Sequence, residues 1–533
     1  MLQIRRRQST APRSRTGCRT CRLRRVKCDE APGACRTCTS TGRTCDGYDL
    51  VRLPKTRDRA RRLALPLPPT IAVQLPSMSV DERRGFGFFL TQTVPMIAGC
   101  FDSPVWQQLV LQMSQSEPAI GHAVVALSVL HEDCEIRGTP APSMDLQHNP
   151  LHCFALEQYT RAIVVLYRRF QSHDPLLRPV VLVCCLVFIN FELLQGNYGA
   201  AFAHLRQGLD ILGAAWDGRL PDLSGAVQAL ARAFRHLQVQ FIRYTEPGQP
   251  FGWSPEILGR EDAEFTFNTL LEAREGLDPI TSRILSLEQL GDGSDEPDRV
   301  AEQREIQQQL QRHIVAFDHF VARHSIRPTW TRREARGADI IRLHQQNLMI
   351  KIQTSLSRSE TGYDRYIPQF ARVMSLAERI VADIQKESGK DGRLPKMMIH
   401  TGVNPTLFWL CLKCRDGPLR QRALDLLEAW PHREGPYDTR MLVSLARLLM
   451  RIEAQGQIRE IGPDGRPTIR IPESARIARA SIEMAADRSQ TFLYVFSGDS
   501  RVHTFALPFK MIKPLRGQSP PRKRGPYSLD VAP

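Results

Sequence analysis

Apolar side chains recur at three- and four-residue intervals through most of the chain, the spacing that gathers them on one face of an α-helix. Leu156, Tyr159, Ile163, Leu166 and Phe170 keep that rhythm, as do Phe202, Leu205, Leu209 and Leu212 after an interruption at Gly196-Asn197. Both runs read as core-facing stripes of packed helices. Ser103-Pro104 supplies an N-cap with proline at the first helical position, and Glu117-Pro118 opens a segment with Ile120, Val124 and Leu127 at helical spacing. Further helical patterns occupy residues 224–245, 300–324, 336–357, 366–386, 404–430 and 438–455. Hairpin-turn composition appears at the far end, around Pro463-Asp464-Gly465 and residues 497–500. The expected fold is therefore mainly α, with a large helical region over 81–460 and short hairpins packed on it over 461–515. No fixed repeat period is sustained, so a named solenoid is not expected.

The first 80 residues lack this rhythm. Pro54, Pro66, Pro68, Pro69 and Pro76 punctuate residues 46–80, and the leucines between them never sustain three heptads. That stretch reads as a basic, Pro-rich flexible linker with no dimerising coiled coil.

Charge separates the same two regions. Residues 1–62 hold 18 basic and 5 acidic side chains, a net of +13 out of +16 for all 533 residues. The remainder is nearly neutral and, with 42% hydrophobic residues overall, is suited to bury several domain-sized cores. The start of the chain has no apolar core of the length a secretory signal needs, and the longest apolar run, residues 180–189, is too short to cross a bilayer. Neither secretion nor membrane insertion is expected. Residues 1–17 form a basic arm, and residues 516–533, with Arg522-Lys523-Arg524, a basic disordered tail.

The candidate chemistry lies just after the arm. Cys18, Cys21, Cys28, Cys35, Cys38 and Cys45 follow C-x2-C-x6-C-x6-C-x2-C-x6-C, one unit written twice with a shift of 17 residues. Cys18-Arg19-Thr20-Cys21 returns as Cys35-Arg36-Thr37-Cys38, and Cys28-Asp29 returns as Cys45-Asp46. Two similar loop-and-helix units related by a pseudo-twofold axis are the simplest reading. Zinc takes four thiolates readily, so six sulfurs satisfy one ion with two spare, or two ions if two sulfurs bridge. The repeat favours the second arrangement, with the first cysteine of each unit, Cys18 and Cys35, as bridges. A disulfide framework and an iron–sulfur site could use similar spacing, but no signal peptide accompanies the first and the regular double unit set among arginines favours zinc. Between residues 5 and 28 stand ten basic residues and no acidic one. Arg22, Arg24, Arg25 and Lys27, projecting from a short helix whose Leu23 and Val26 pack inward, make the footprint of a phosphate-backbone binder.

The stretch CRTCRLRRVKCDEAPGACRTCTSTGRTC, residues 18–45, resembles the DNA-binding domain of fungal binuclear zinc cluster transcription factors. The resemblance implies two zinc ions on six cysteines, bridged by Cys18 and Cys35, and a helix after Cys21 that enters the major groove at a CGG triplet. It implies base contact by Arg25 with Arg24 beside it and backbone contact by Arg22 and Lys27; Arg19, at the end of the Arg-rich arm, is a further DNA-binding candidate by its charge. Pro32 matches the proline of the inter-unit loop. Arginine stands at the two central positions where the family commonly has lysine, and arginine also meets guanine O6 and N7 bidentately. More loosely, much of residues 80–460 is similar to the all-helical regulatory region that follows many such clusters.

These readings converge on a nuclear, sequence-specific regulator of RNA polymerase II genes that controls a metabolic or secondary-metabolite pathway. Its expected partners are double-stranded DNA, the transcription machinery or co-regulators, and a second copy through the helical body or across neighbouring DNA sites. The alternatives are a zinc module that docks protein or holds nucleic acid nonspecifically, and an enzyme whose body acts on a small molecule. No glycine-rich phosphate loop, H-E-x-x-H or nucleophile elbow supports the enzyme, so a non-enzyme is expected. Cys411 and Cys414 read as a reduced core pair, and His131 with Cys134 or His148 with His152 lack a partner set for a third zinc.

Overall fold

The computed structural model describes residues 18, 20–21, 24, 26–29, 31, 34–45, 78–137, 149–170, 177–216, 225–241, 265–289, 296–325, 330–387, 394–461, 467–484, 490–497 and 500–508. The basic arm, the C-terminal tail and most of the linker lie outside that set.

The body is two helical lobes with separate cores. In the first, α1 (Val80–Phe88) starts at a capping box in which Ser79 and Glu82 each bond the other's backbone N–H. A π turn, Phe89–Thr93, carries it into α2 (Val94–Ala98), where Pro95 withholds the N–H an α-helix would use. A second π turn, Val105–Leu109, follows Ser103-Pro104 and leads into α3 (Val110–Ser116). Then come α4 (Pro118–Arg137), α5 (Pro150–Phe170), α6 (Leu177–Gln195), α7 (Tyr198–Trp216) and α8 (Gly225–Phe241). Helices α4 and α6 are apolar nearly all round and sit at the centre of the lobe. Among the described residues only α6 is long and apolar enough to cross a membrane, and 83% of its apolar window is buried in this core.

The second lobe holds α9 (Leu270–Glu275), α10 (Leu277–Gln289), α11 (Glu296–Ser325), α12 (Arg332–Thr354), α13 (Ile367–Glu387), α14 (Asn404–Lys413), α15 (Gly417–Ala429) and α16 (Thr439–Gln455). A small sheet joins the lobes: β1 (Met397–Met398) runs parallel to β2 (Arg433–Glu434), which pairs antiparallel with β3 (Tyr437–Asp438). Arg433, buried, donates to the Leu193 carbonyl of the first lobe and to Asp438 at 3.0 Å. The turn between β2 and β3 uses Gly435 at φ +52°, where a Cβ would lie 2.3 Å from Gln240 Oε1. Beyond α16, β4 (Ile458–Ile461) and β5 (Pro467–Arg470) form one antiparallel hairpin. Strands β6 (Arg479–Met484), β7 (Gln490–Ser497) and β8 (Ser500–Pro508) form an antiparallel meander. Val495 and Ile477 seat this end of the chain on Leu445 and Leu449 of α16.

Two expectations change. The apolar rhythm of α5 is its core stripe only in part: Tyr159 and Leu166 pack against the core, but Leu156 and Ile163 are 38% and 41% exposed, while Leu151, Phe154, Ala155, Gln158 and Ala162 are buried. Gln158 turns that face inward because its amide bonds Glu82 at 3.1 Å and His122 at 2.7 Å. Residues 404–430 are two helices, because Asp416 caps a new start by accepting from Leu419 N–H and Pro418 follows at once. Helices α6, α9 and α10 add to the predicted set: α6 is apolar nearly all round, whereas Leu277, Ile280, Ile284 and Leu287 of α10 keep a helical period and are buried.

Candidate metal centre and nucleic-acid interface

The two cysteine units fold the same way. In each, the C-x2-C segment makes a turn in which the first sulfur accepts from the backbone N–H of the second cysteine: Cys21 N to Cys18 Sγ at 3.3 Å, Cys38 N to Cys35 Sγ at 3.3 Å. The third cysteine closes back on the first, with Cys18 N donating to Cys28 Sγ and Cys35 N to Cys45 Sγ, both at 3.4 Å. Equal distances in the two units give the pseudo-twofold relation a structural form.

The sulfurs meet at the centre, with Cys18 Sγ 3.5 Å from Cys35 Sγ and Cys21 Sγ 3.6 Å from Cys38 Sγ. Cys18, Cys21, Cys28 and Cys35 form one set whose sulfurs all lie within 4.8 Å of one another, and Cys18, Cys35, Cys38 and Cys45 form a second. The sets share Cys18 and Cys35. Tetrahedral ligands about 2.3 Å from zinc stand roughly 3.8 Å apart, so these separations suit thiolates around metal, and all six cysteines are free of disulfides. Burial pushes the Cys18 thiol up to about 12 and raises Cys21 and Cys35 as well. Sulfurs so crowded and dry need divalent cations to stand as thiolates. The chemistry of the donor set fits two zinc ions.

Asp29 locks the second unit to the first. Its carboxylate accepts from Arg36 N at 3.0 Å, Thr37 N at 3.1 Å and Thr37 Oγ1 at 3.0 Å, at the start of the helical turn Arg36–Thr39. The Thr37 backbone N–H, foremost, holds this carboxyl below the usual range. Residue types alone did not mark Asp29 as part of the site, although the Cys-Asp repeat was the available signal.

Of the basic residues, Arg24 and Lys27 are described, whereas Arg19, Arg22 and Arg25, with Leu23 and Pro32, lie outside the described set. Lys27 is exposed. Arg24 is half-buried and its Nη1 donates to Thr41 Oγ1 of the second unit at 3.2 Å. Val26 departs from expectation, being 41% exposed and beyond the helical turn. Its N–H reaches back to the Cys21 carbonyl at 3.1 Å, which closes the turn so that Cys28 can return to the centre.

Among the described residues the body supplies no rival centre. Among the described residues the two cysteine sets are the groups whose ligand atoms converge. Cys411 and Cys414 are buried, with burial raising both thiols. His131 faces Thr93 Oγ1 at 3.0 Å, His152 is buried, and His148 lies outside the described residues. A cavity of about 660 Å³ between the lobes is walled by Phe265, Phe267, Phe320 and Trp330, but its Arg232 pairs with Glu275 and its Arg333 with Asp102.

The head is thus a module of two like units whose two four-sulfur sets have Cys18 and Cys35 in common. Residues 16–53 match the family described as the fungal Zn(2)-Cys(6) binuclear cluster domain, so the chain carries that domain, which binds two zinc ions, ahead of a mainly helical body. Over 88% of its length the chain is 24% identical to the aspercryptin biosynthesis cluster-specific transcription regulator of Emericella nidulans, covering 92% of that protein. A transcription regulator of Purpureocillium lilacinum is 31% identical over 36% of this chain and 47% of its own. A Zn(2)-C6 fungal-type transcription factor of Aspergillus fumigatus is 31% identical over 28% of this chain and 39% of its own. No solved structure matches. The chain therefore resembles zinc-cluster transcription regulators along most of its length and not in the head alone.

Proposed function

We propose that the protein is a nuclear, sequence-specific DNA-binding regulator of RNA polymerase II transcription that controls a biosynthetic gene cluster and is not an enzyme. The observation that carries this reading is the pair of four-sulfur sets sharing Cys18 and Cys35 inside a region of strong positive charge. Cys18, Cys21, Cys28, Cys35, Cys38 and Cys45 hold the zinc ions. Arg25 reads a CGG-type triplet in the major groove, while Arg19, Arg22 and Lys27 contact phosphates. The contact from Arg24 to Thr41 gives that residue a second role, tying the DNA-facing unit to its twin. The pathway assignment rests on the Emericella nidulans relative, a biosynthesis cluster-specific transcription regulator that is matched from head to body.

The test is selection of bound sites from a randomised DNA library with the zinc-loaded chain at physiological salt. Enrichment of CGG is the expected outcome. Binding that is steep in salt yet enriches no sequence would reduce the head to a nonspecific nucleic-acid or protein-docking module.

A further inference from the structure

The two four-sulfur sets follow one repeat but are not equally sheltered. Cys18, Cys21, Cys35 and Cys38 are fully buried and Cys28 is 6% exposed, whereas Cys45 is only half-buried. Cys28 is held from both sides, because Thr37 Oγ1 lies 3.5 Å from the Lys27 carbonyl oxygen and 3.0 Å from Asp29 Oδ1. Cys45 is held on the side of Thr44, whose carbonyl accepts from Thr20 Oγ1 at 3.3 Å; Asp46, the counterpart of Asp29, lies outside the described residues. The sulfurs also differ in role. Cys18 and Cys35 belong to both sets, Cys21 and Cys28 to the first, and Cys38 and Cys45 to the second. A thiolate shared between two cations has less electron density to give an oxidant than one bound to a single cation, and cysteine oxidation follows thiolate character and access. Of the six, Cys45 is the sulfur that belongs to one set and also opens to solvent.

We propose that the two metal positions are unequal, and that the one held by Cys18, Cys35, Cys38 and Cys45 is a peroxide-sensitive release site opened through Cys45. The Cys45 thiolate attacks one oxygen of hydrogen peroxide and the O–O bond breaks; the sulfur becomes a sulfenic acid while the second oxygen departs as hydroxide. Cys38 is the resolving partner, since its sulfur lies within 4.8 Å of Cys45 Sγ and, like it, belongs to the second set alone. The Cys38 thiolate attacks the Cys45 sulfur and expels hydroxide. Two thiolates thus give up two electrons and form one S–S bond, and peroxide is reduced to two hydroxides. The second ion loses half of its ligands and is released, whereas Cys18, Cys21, Cys28 and Cys35 still offer the first ion a tetrahedral set of four sulfurs. The helical turn Arg36–Thr39, and Thr41 that accepts from Arg24, lie in the unit that loses its metal. The inference rests on the assignment of the six sulfurs to two zinc ions, and its consequence for DNA binding rests on the regulator reading.

The test uses the full zinc-loaded chain, with zinc content measured first and hydrogen peroxide then added in small steps. A metallochromic indicator too weak to strip the intact cluster reads released zinc, and peptide mass spectrometry after alkylation maps the disulfides. One of the two ions is expected to be lost in step with a Cys38–Cys45 disulfide while the other is retained, and thiol reductant with added zinc restores the starting state. Cys153, exposed on α5, gauges the dose. Release of both ions together overturns the proposal, as does a first disulfide that contains Cys21 or Cys28, or a head that keeps both ions once Cys153 is fully oxidised. A starting content other than two ions per chain overturns the six-sulfur assignment, and the inference with it. DNA takes no part in these readings, so a head that releases one ion but enriches no CGG loses only the regulator reading.

Discussion

The head and the body bury different chemistry. Within the described head, the buried core consists of Cys18, Cys21, Cys28, Cys35 and Cys38, with Cys45 partly buried beside them. The body instead encloses two broad apolar cores, one around α4 and α6 and one around α12 and α13. The head therefore depends on metal for its order, while the body is held by apolar burial with a few buried ionic networks. Each can be broken without breaking the other, and that independence is what the following experiments test.

Removing the metal has the largest effect. Structural zinc contributes roughly 10–16 kcal/mol to folding of a small cluster, far more than residues 18–45 can replace by packing. Cys28→Ala, or exhaustive chelation, is expected to disorder the head and abolish DNA binding while leaving the helical circular dichroism and melting of the body intact. Zinc content, DNA retardation and a thermal melt measured on one sample check this. A Cys28→Ala chain that still binds its site would contradict the metal-dependent fold.

The body has its own point of failure. Glu453 is fully buried and bonds Arg415 at 2.8 Å, Arg420 at 2.6 Å and the Ile477 N–H at 2.8 Å. Burial alone would raise its carboxyl, but Arg415 and Arg420 outweigh burial and hold it below the usual range. Glu453→Gln takes the buried carboxylate from Arg420 and leaves Arg415 with Glu360 alone, and should cost about 3–5 kcal/mol, read as a lower urea midpoint. DNA affinity, measured where the variant is still folded, should not change.

Acid gives a graded version of the same separation. Burial holds the His313 imidazole down at about 4, with Nε2 against the Ala273 carbonyl at 2.8 Å and Nδ1 against the Gln345 amide at 3.1 Å. The folded value lies below the unfolded one, so this stabilisation is fully present above pH ~6.5 and is lost as pH falls toward 4. His236, His344 and His400 are shifted in the same direction, again by burial first. Through His313 alone, body stability should fall by on the order of 1 kcal/mol per pH unit across that window, and the other three act in the same direction. All six tryptophans lie beyond residue 100, so their fluorescence reports body unfolding without interference from the head. His313→Gln should flatten the slope, and an unchanged slope would remove His313 from the account.

Within the head, Arg25→Ala should cost ~1–3 kcal/mol on the preferred site and relax base preference, whereas Lys27→Ala should weaken all sequences alike. Equal losses on matched and mismatched DNA for Arg25→Ala would reassign it to the backbone.

What the sequence made legible follows the same division. The cysteine spacing carried the metal site because ligand number and geometry depend on a few residues close together in the chain. Helices with one apolar face and clear caps, such as α12 after Thr331 and Glu334, were readable for the same local reason. Helix α6 and the sheet linking residues 397–398 to 433–438 were not, since one is buried on all sides and the other exists only through long-range pairing. The partial misreading of α5 has a similar cause: apolar residues lie on more than one face of the helix, and the tertiary contacts of Gln158 and Tyr159 decide which are buried.

The smallest expected effect probes what joins the two cysteine units. Asp29 touches no sulfur, yet it collects two backbone N–H groups and the Thr37 hydroxyl at the start of the second unit. Asp29→Ala leaves those donors to water, because the site is exposed, so the cluster should still assemble. Zinc affinity should drop by less than the ~10-fold typical of losing a ligand's own hydrogen-bond partner. The deficit should be matched by Asp29→Asn only in part, since an amide oxygen accepts without the charge that favours a helix start. Because the carboxyl is held below its ordinary value, the wild-type advantage should fade as pH falls through the carboxylate range. Competition with a metallochromic chelator, run for the three chains at two pH values, resolves the order. Equal affinities at neutral pH would show that the metal alone fixes the second unit, and would remove Asp29 from the determinants of the head.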